Sequence, residues 1–252
     1  VPAVSESKYV VQCSWEEVPH LTEQARAQLL ASIPPYQRDA RTRGIPSLGS
    51  GAIYPVPESE IVIPDQEIPT HWPRAYGLDI GWNRTAAVWG AQDRETGTIY
   101  LYSEYYRGEA EPVIHAAAVQ SRGEWIPGVI DPAARGRGQR DGQQLLQDYR
   151  NLGLNIIPAT NALEAGILEV WQLLSLGKLK VFRSLSNWLR EFRYYRRNEK
   201  GKIHQPDARS NQPQDHLMDA TRYLILSGRQ RMQIKPVKLP PSRPLSRPSP
   251  WS

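Results

Sequence analysis

Tyr76-Gly77-Leu78-Asp79-Ile80-Gly81-Trp82 reads as a short buried β-strand that ends in an acidic residue and a glycine. Pro127-Gly128-Val129-Ile130-Asp131-Pro132 ends the same way, and Asp215-His216-Leu217-Met218-Asp219 opens a helix far downstream. A carboxylate at the end of a central strand is costly to bury unless something cationic neutralises it. If the two strands are neighbours, Asp79 and Asp131 reach one spot, while Asp215 and Asp219, at i and i+4, share a helix face. Oxygen-only donors suit hard cations such as Mg2+ or Mn2+. Two such ions, roughly 3.5–4 Å apart, activate a water and stabilise the leaving oxygen of a phosphodiester. Each acid also has a plainer reading. Asp79 or Asp131 could bond the turn that follows its strand, Asp215 could be an N-cap or first-turn charge, and His216 a surface or packing residue. The three elements together favour the metal site.

Outward from this stretch, strands are expected at Ala75–Ile80, Arg84–Ala91 and Thr98–Tyr106, the last two joined by the turn Asp93-Arg94-Glu95-Thr96-Gly97. A helix at Glu111–Ser121 has Pro112 in its first turn and Val113, Ala116, Ala117 and Gln120 at helical spacing. Then follow strand Gly128–Asp131, helix Gln139–Leu152, strand Asn155–Ile157, helix Asn161–Leu176 capped by Asn161, strand Leu179–Phe182 and helix Ser186–Tyr195. Asn198–Lys202 reads as a projecting hairpin tip. The final helix, Pro213–Ser227, buries Leu217, Ala220, Leu224 and Ile225 with Tyr223 at an edge. Three antiparallel strands followed by alternating helix and strand predict an α/β fold, a mixed sheet flanked by helices.

Residues 1–70 are not expected to form an independent domain. Lys8–Gln12 alternates like a strand end, and Thr22–Ser32 is a short helix with Thr22 as its cap and Pro34-Pro35 beyond it. Tyr36–Thr70, broken by seven prolines and glycines from Pro46 to Pro69, reads as an extended connector with too few apolar positions for a core. The folded domain is expected at 71–230, followed by a basic, proline-rich and disordered tail at 231–252. No run approaches the roughly 18 apolar residues of a membrane span, and the N-terminus lacks a secretion signal. Cys13 is the only cysteine, which excludes an intrachain disulfide and suits a reducing cytoplasm.

The net charge of +5 is unevenly spread. Arg183–Lys202 holds five Arg and two Lys against two Glu, and Arg229–Ser252 holds six basic residues and no acid, leaving the remainder acidic. Such asymmetry suits a polyanionic partner, although a solvated basic face would look the same. Arg135, Arg137 and Arg140 follow Asp131 in a loop where Gly136 and Gly138 permit close backbone approach. They and the basic arm, Arg190, Arg193, Arg196, Arg197, Lys200 and Lys202, are the candidate DNA contacts. The glycine spacing misses the dinucleotide fingerprint by one residue.

Gly77-Leu78-Asp79-Ile80-Gly81, Val129-Ile130-Asp131-Pro132-Ala133 and Asp215-His216-Leu217-Met218-Asp219-Ala220-Thr221-Arg222-Tyr223 together resemble the nuclease domain of phage large terminase subunits. Trp15–Leu21 resembles the end of that protein's preceding motor domain, and Ile33–Arg41 and Gly44–Val56 its connector. The resemblance implies an RNase H-like fold and a metal-dependent endonuclease that cuts concatemeric viral DNA during packaging with little sequence preference. It implies two divalent ions on Asp79, Asp131 and Asp219, one shared by Asp79 and Asp131 and the other by Asp79 and Asp219. His216 would assist at the centre, and Asp215 would lie nearby; Glu104 could take part through a water, but an ordinary exposed strand position is its favoured reading. Double-stranded DNA, a portal protein and a small terminase subunit are the implied partners, in the cytoplasm of an infected bacterium at the procapsid portal and without a membrane. The chain has no Gly-x-x-x-x-Gly-Lys-Ser/Thr loop, so it is expected to cut DNA without hydrolysing ATP, as a C-terminal piece of a longer protein. Two alternatives are kept at this level: a non-catalytic DNA- or portal-docking module, and an actin-like or sugar-kinase-type phosphotransferase, although the second glycine-rich phosphate hairpin and adenosine motif of the latter are missing. A junction resolvase or integrase would use the same carboxylates, but the N-terminal connector argues against both.

Overall fold

The computed structural model describes residues 51–132, 141–198, 201–204 and 214–236, together with 4–5, 8–9, 14–15, 18, 21–32 and 42. Near the N-terminus β1 (Val4–Ser5) and β2 (Lys8–Tyr9) pair antiparallel. Helix α1 (Glu23–Ser32) starts as expected, with Ala25 N–H donating to Thr22 Oγ1 at 3.3 Å.

The main body is a seven-stranded mixed sheet. Its strands are β3 (Val62–Ile63), β4 (Arg74–Asp79), β5 (Thr85–Gln92), β6 (Ile99–Arg107), β7 (Gly128–Ile130), β8 (Ile156–Pro158) and β9 (Leu179–Phe182), in spatial order β3-β9-β6-β5-β4-β7-β8. Strands β4, β5 and β6 run antiparallel to their neighbours in the meander, and every other pairing is parallel. The turn at Asp93–Gly97 forms as read: Asp93 N–H donates to Thr98 O, and the Asp93 carboxylate accepts from Glu95 N–H and Thr96 Oγ1.

Side-chain alternation divides the core into two layers. Ala75, Ala86 and Val88 join the cluster formed with α5 (Leu163–Ser175), α6 (Ser186–Tyr194) and α7 (His216–Tyr223). Tyr76, Leu78, Ala87 and Trp89 join the opposite cluster, with α3 (Pro112–Gln120) and α4 (Asp141–Asn151). Asp79 shares the parity of Ala75 and Gly77, which aims it at the α7 side. Gly77 is where α7 crosses β4: a Cβ there would lie 2.0 Å from the Ala220 carbonyl oxygen. Only glycine admits the helix so close to the strand.

Several expectations are corrected. The segment 51–70 is not a bare connector. Ile53, Tyr54, Val56, Ile61 and Ile68 are buried in the main core, Glu58–Ile61 forms a helical turn (α2), and β3 extends the sheet beside β9. Its proline-rich text hides the core because each apolar residue packs individually rather than at a period. On α3 the buried positions are His115, Ala116 and Val119, while Val113 is half exposed, because the helix lies rotated by about one residue from the predicted stripe. Helix α5 has Ala162, not Asn161, at its N-cap. The last helix begins at His216 and runs into a π-helical turn at Leu224–Gly228, and Tyr223 is buried rather than at an edge. Finally, the body continues past residue 230, since Gln233 and Arg74 exchange both backbone hydrogen bonds. Residues 237–252, the rest of the predicted tail, lie outside the described residues.

The crossing at Gly77 gives a direct test. Gly77→Ala should lower unfolding free energy by about 3 kcal/mol in urea titration, since the obstructing atom is backbone. A loss under about 0.5 kcal/mol would mean that α7 shifts freely on β4.

Candidate functional site

Asp79 closes β4, and Asp131 immediately follows the adjacent parallel strand β7, with its N–H bonded to Leu78 O at 2.9 Å. Helix α7 lies across the end of these strands and brings Asp219, with Asp215 at its N-cap. All four carboxylates line one open cleft of about 590 Å³, with Glu164 on α5 and Arg197, Lys202 and Ile203 from the hairpin. The parallel pairing makes Asp79 and Asp131 neighbours, as the two strand ends suggested.

Each of the three principal carboxylates is engaged by a side chain of α7. His216 Nδ1 lies 2.7 Å from Asp79 Oδ2, the Tyr223 hydroxyl donates to Asp131 Oδ1 at 3.1 Å, and Arg222 donates to Asp219 Oδ1 through Nη2 at 3.0 Å. The second ring nitrogen of His216 sits 2.6 Å from Gln214 Oε1, so both ring nitrogens face oxygens, the arrangement that suits an imidazolium. Among the described residues no three acidic or histidine side chains converge on a single coordination point. The carboxylates share a cleft, and three of them are each bonded to a donor on α7.

Their electrostatics explain why. Burial pushes the Asp79 carboxyl up; His216 opposes this, while Asp131 and Asp215 add to it. Asp219 is pushed up to about 7, chiefly by burial, against the pull of Arg222 and with further repulsion from Asp215 and Asp79. Burial disfavours the charged form of His216, but the Asp79 carboxylate, with Glu191 and Asp215, more than offsets it and raises its pKa. Burial and the neighbouring carboxylates raise the Tyr223 hydroxyl, which keeps its proton. A cluster of oxygen donors that raise one another's pKa gains most from a hard divalent cation, so the residues present fit one.

The other sequence candidates are distributed differently. Glu104 is no part of the cleft: its carboxylate accepts the Asn187 N–H at 3.0 Å and the Trp188 N–H at 2.9 Å, at the start of α6. Arg193 is spent on a two-pronged ion pair with Glu58, and Arg197 on Glu164 and the Gly201 carbonyl. Arg190 and Arg196 are exposed, and Lys202 is exposed on the cleft wall. The predicted hairpin is present, with Arg197 paired to Ile203 and Asn198 N–H bonded to Lys202 O. Arg135, Arg137, Arg140 and Lys200 lie outside the described residues. Sequence reasoning missed Arg222 and Tyr223 as site residues. The i, i+3 relation of Asp219 to Arg222 was available as a signal; the reach of Tyr223 to Asp131 across the fold was not.

Residues 76–227 match the terminase RNase H-like domain family. The chain is 32% identical over 254 residues to the large terminase subunit of Salmonella phage P22, covering 97% of this chain and 49% of that protein. It is 34% identical over 229 residues to the large subunit of Enterobacteria phage LP7, covering 87% and 46%. The chain therefore spans about half the length of the curated relatives it matches. The solved nuclease domain of the P22 large terminase superposes with a TM-score of 0.65 at 30% identity, over 75% of this chain and 97% of that one.

The raised carboxyls fix a pH dependence. Between the ordinary aspartate value of 3.8 and about 7, folded Asp219 keeps a proton that the unfolded chain has released, so rising pH favours unfolding. Asp79, also raised, acts in the same direction; the His216 contribution, complete below 6.5, is lost as pH passes its raised folded value. With chelator present, the melting temperature should fall from about pH 4 to about pH 8, and less steeply in Asp219→Asn. An equally steep fall in that variant would contradict the assignment.

Proposed function

This chain belongs to the terminase RNase H-like domain family, and from that premise we propose that it is a metal-dependent endodeoxyribonuclease that cuts viral DNA during genome packaging. The observation that carries the reading is that Asp79, Asp131 and Asp219, far apart in sequence, line one cleft, where burial and neighbouring carboxylates push the Asp79 and Asp219 carboxyls upward. Asp79, Asp131 and Asp219, with Asp215 beside them, would hold two divalent ions, Mg2+ or Mn2+. Bound there, such ions supply Lewis-acid activation of water and neutralise charge at the scissile phosphate.

The chain's own groups set the stage for that chemistry. His216 fixes one oxygen of Asp79, Tyr223 one of Asp131 and Arg222 one of Asp219, so each carboxylate is oriented by a partner behind it. Arg222, buried and held charged by Asp219 against the cost of burial, adds a permanent positive charge beside the acids. Tyr223, the one hydroxyl that lines the cleft among the described residues, donates to Asp131 and keeps its proton, which suits direct attack by water without a covalent enzyme intermediate. Lys202, exposed on the cleft wall, supports a contact with a backbone phosphate. Phosphate contacts carry no base information, in keeping with cutting of low sequence preference. The portal and small-subunit partners, and action in the cytoplasm of an infected host, belong to the same proposal.

Nicking of supercoiled plasmid in Mn2+ tests it. Asp79→Asn, Asp131→Asn and Asp219→Asn should each lower the rate by about 100-fold or more while remaining folded, a loss of roughly 2.7 kcal/mol in transition-state stabilisation. Full activity in any of the three would remove that residue from the centre. No cleavage by the wild-type chain, with DNA still bound, would favour a docking module. Lys202→Ala should weaken DNA binding at low salt and lower the slope of log affinity against log salt by about 1. An unchanged slope would exclude the hairpin from the contact.

A further inference from the structure

The first N–H groups of a helix need acceptors from outside it. In α7 the N-cap residue is Asp215, a side chain well suited to that task, yet it makes no cap hydrogen bond and its carboxylate lines the cleft. The acceptor comes from another helix. Glu191 of α6 takes the Leu217 N–H at 2.6 Å and the Met218 N–H at 3.2 Å, both on Oε2, and is 1% exposed. Helix α6 is served in the same way. Its N-cap, Leu185, has no polar side chain, and Glu104 of β6 accepts its first N–H groups. A second tie joins the two helices: Trp188 Nε1 donates to Thr221 Oγ1 at 2.8 Å, and that hydroxyl donates to Leu217 O at 2.7 Å.

We infer that Glu191 is a positioning residue for the carboxylate centre: by capping α7 from α6, it leaves the Asp215 carboxylate at the cleft instead of folded over its own helix end. The inference rests on the nuclease reading and adds a device to it. Glu104 fastens α6 to the sheet, Glu191 fastens α7 to α6, and α7 carries Asp219, His216, Arg222 and Tyr223. Two borrowed carboxylates thus set the position of the helix that brings the last ligand and all three orienting donors. Without Glu191, two buried N–H groups lose their acceptor, and Asp215, one residue before the helix, is the acceptor nearest in sequence. Capping would then draw its charge away from Asp79 and Asp219, both of which it now pushes upward.

The test uses the full 252-residue chain, with Glu191→Ala, Glu191→Asp, Glu191→Gln and Asp215→Ala, singly and combined. In chelator, Asp215→Ala removes no cap from the wild-type helix, and the shift it causes in melting temperature there is the baseline. In the Glu191→Ala background the same change should lower the melting temperature further than that baseline, because Asp215 has become the cap. Binding of Mn2+ alone, by titration calorimetry, should weaken about tenfold or more in Glu191→Ala. Glu191→Gln, which keeps an acceptor oxygen, should recover most of that loss. Should Glu191→Ala not fold, Glu191→Asp carries the same comparisons, since it keeps the carboxyl group and withdraws the oxygen by one methylene. Asp215→Ala shifting the melting temperature equally in both backgrounds, or a folded Glu191 variant binding Mn2+ like wild type, overturns the inference. If plasmid nicking survives Asp79→Asn, the nuclease reading fails instead, while the melting comparison still decides what Glu191 does.

Discussion

Mutual repulsion among carboxylates held in one cleft is the constraint on which the rest of this structure depends. Asp79, Asp131, Asp215 and Asp219 all face the same space, and at least two of them are pushed well above the ordinary aspartate range. A fold built only for stability would not gather them, because each adds to the cost of ionising the next. The fold accepts the arrangement by placing one compensating donor behind each of three acids. All three donors come from α7. One short helix therefore carries both part of the problem and most of its local remedy.

That dependence on α7 makes its seating the critical piece of architecture. Gly77 lets the helix backbone press against the central strand. Leu217, Met218, Ala220 and Leu224 anchor it in the larger core, and Glu191 and Thr221 lock it to α6. The antiparallel meander β4–β5–β6 supplies a rigid floor, and the parallel pairing of β4 with β7 sets Asp79 beside Asp131. The basic hairpin stands on the rim with much of its charge already committed. Arg197 ties it to Glu164, and Arg193 on α6 is paired with Glu58 of α2, so both arginines serve internal ion pairs before they serve any polyanion. Charge counted along the chain overstates what is available to a ligand, because an arginine paired at short range no longer presents a full field.

Much of the fold was legible because its signals are local and periodic. The strand ending at Asp79, the Asp93–Gly97 turn and the hairpin flanking Asn198–Lys202 each need only a few neighbouring residues to be recognised. The segment 51–70 escaped because Ile53, Tyr54, Val56, Ile61 and Ile68 reach the core one at a time between prolines, so no period betrays them. Glu104 was misjudged for a related reason. A carboxylate on a strand looks alike whether it faces solvent, a metal or the first turn of a helix more than eighty residues away, and only packing distinguishes these. The clustering of the acids themselves could be anticipated because strand ends and helix starts are the places where backbone geometry brings distant carboxylates together.

What the sequence by itself determined is the side-chain chemistry and its family: carboxylate oxygens at two strand ends and on one helix, in motifs specific enough to point to the terminase nuclease lineage. These follow from residue identity and short-range spacing, which do not depend on how distant segments meet. What only the tertiary structure decided is which partner each acid has. Tyr223 finds Asp131, His216 finds Asp79, and Glu191 rather than Asp215 caps the helix between them. Such pairings are set by the depth to which α7 sinks onto β4 and by its rotation against α6, quantities fixed by long-range packing that no local pattern encodes.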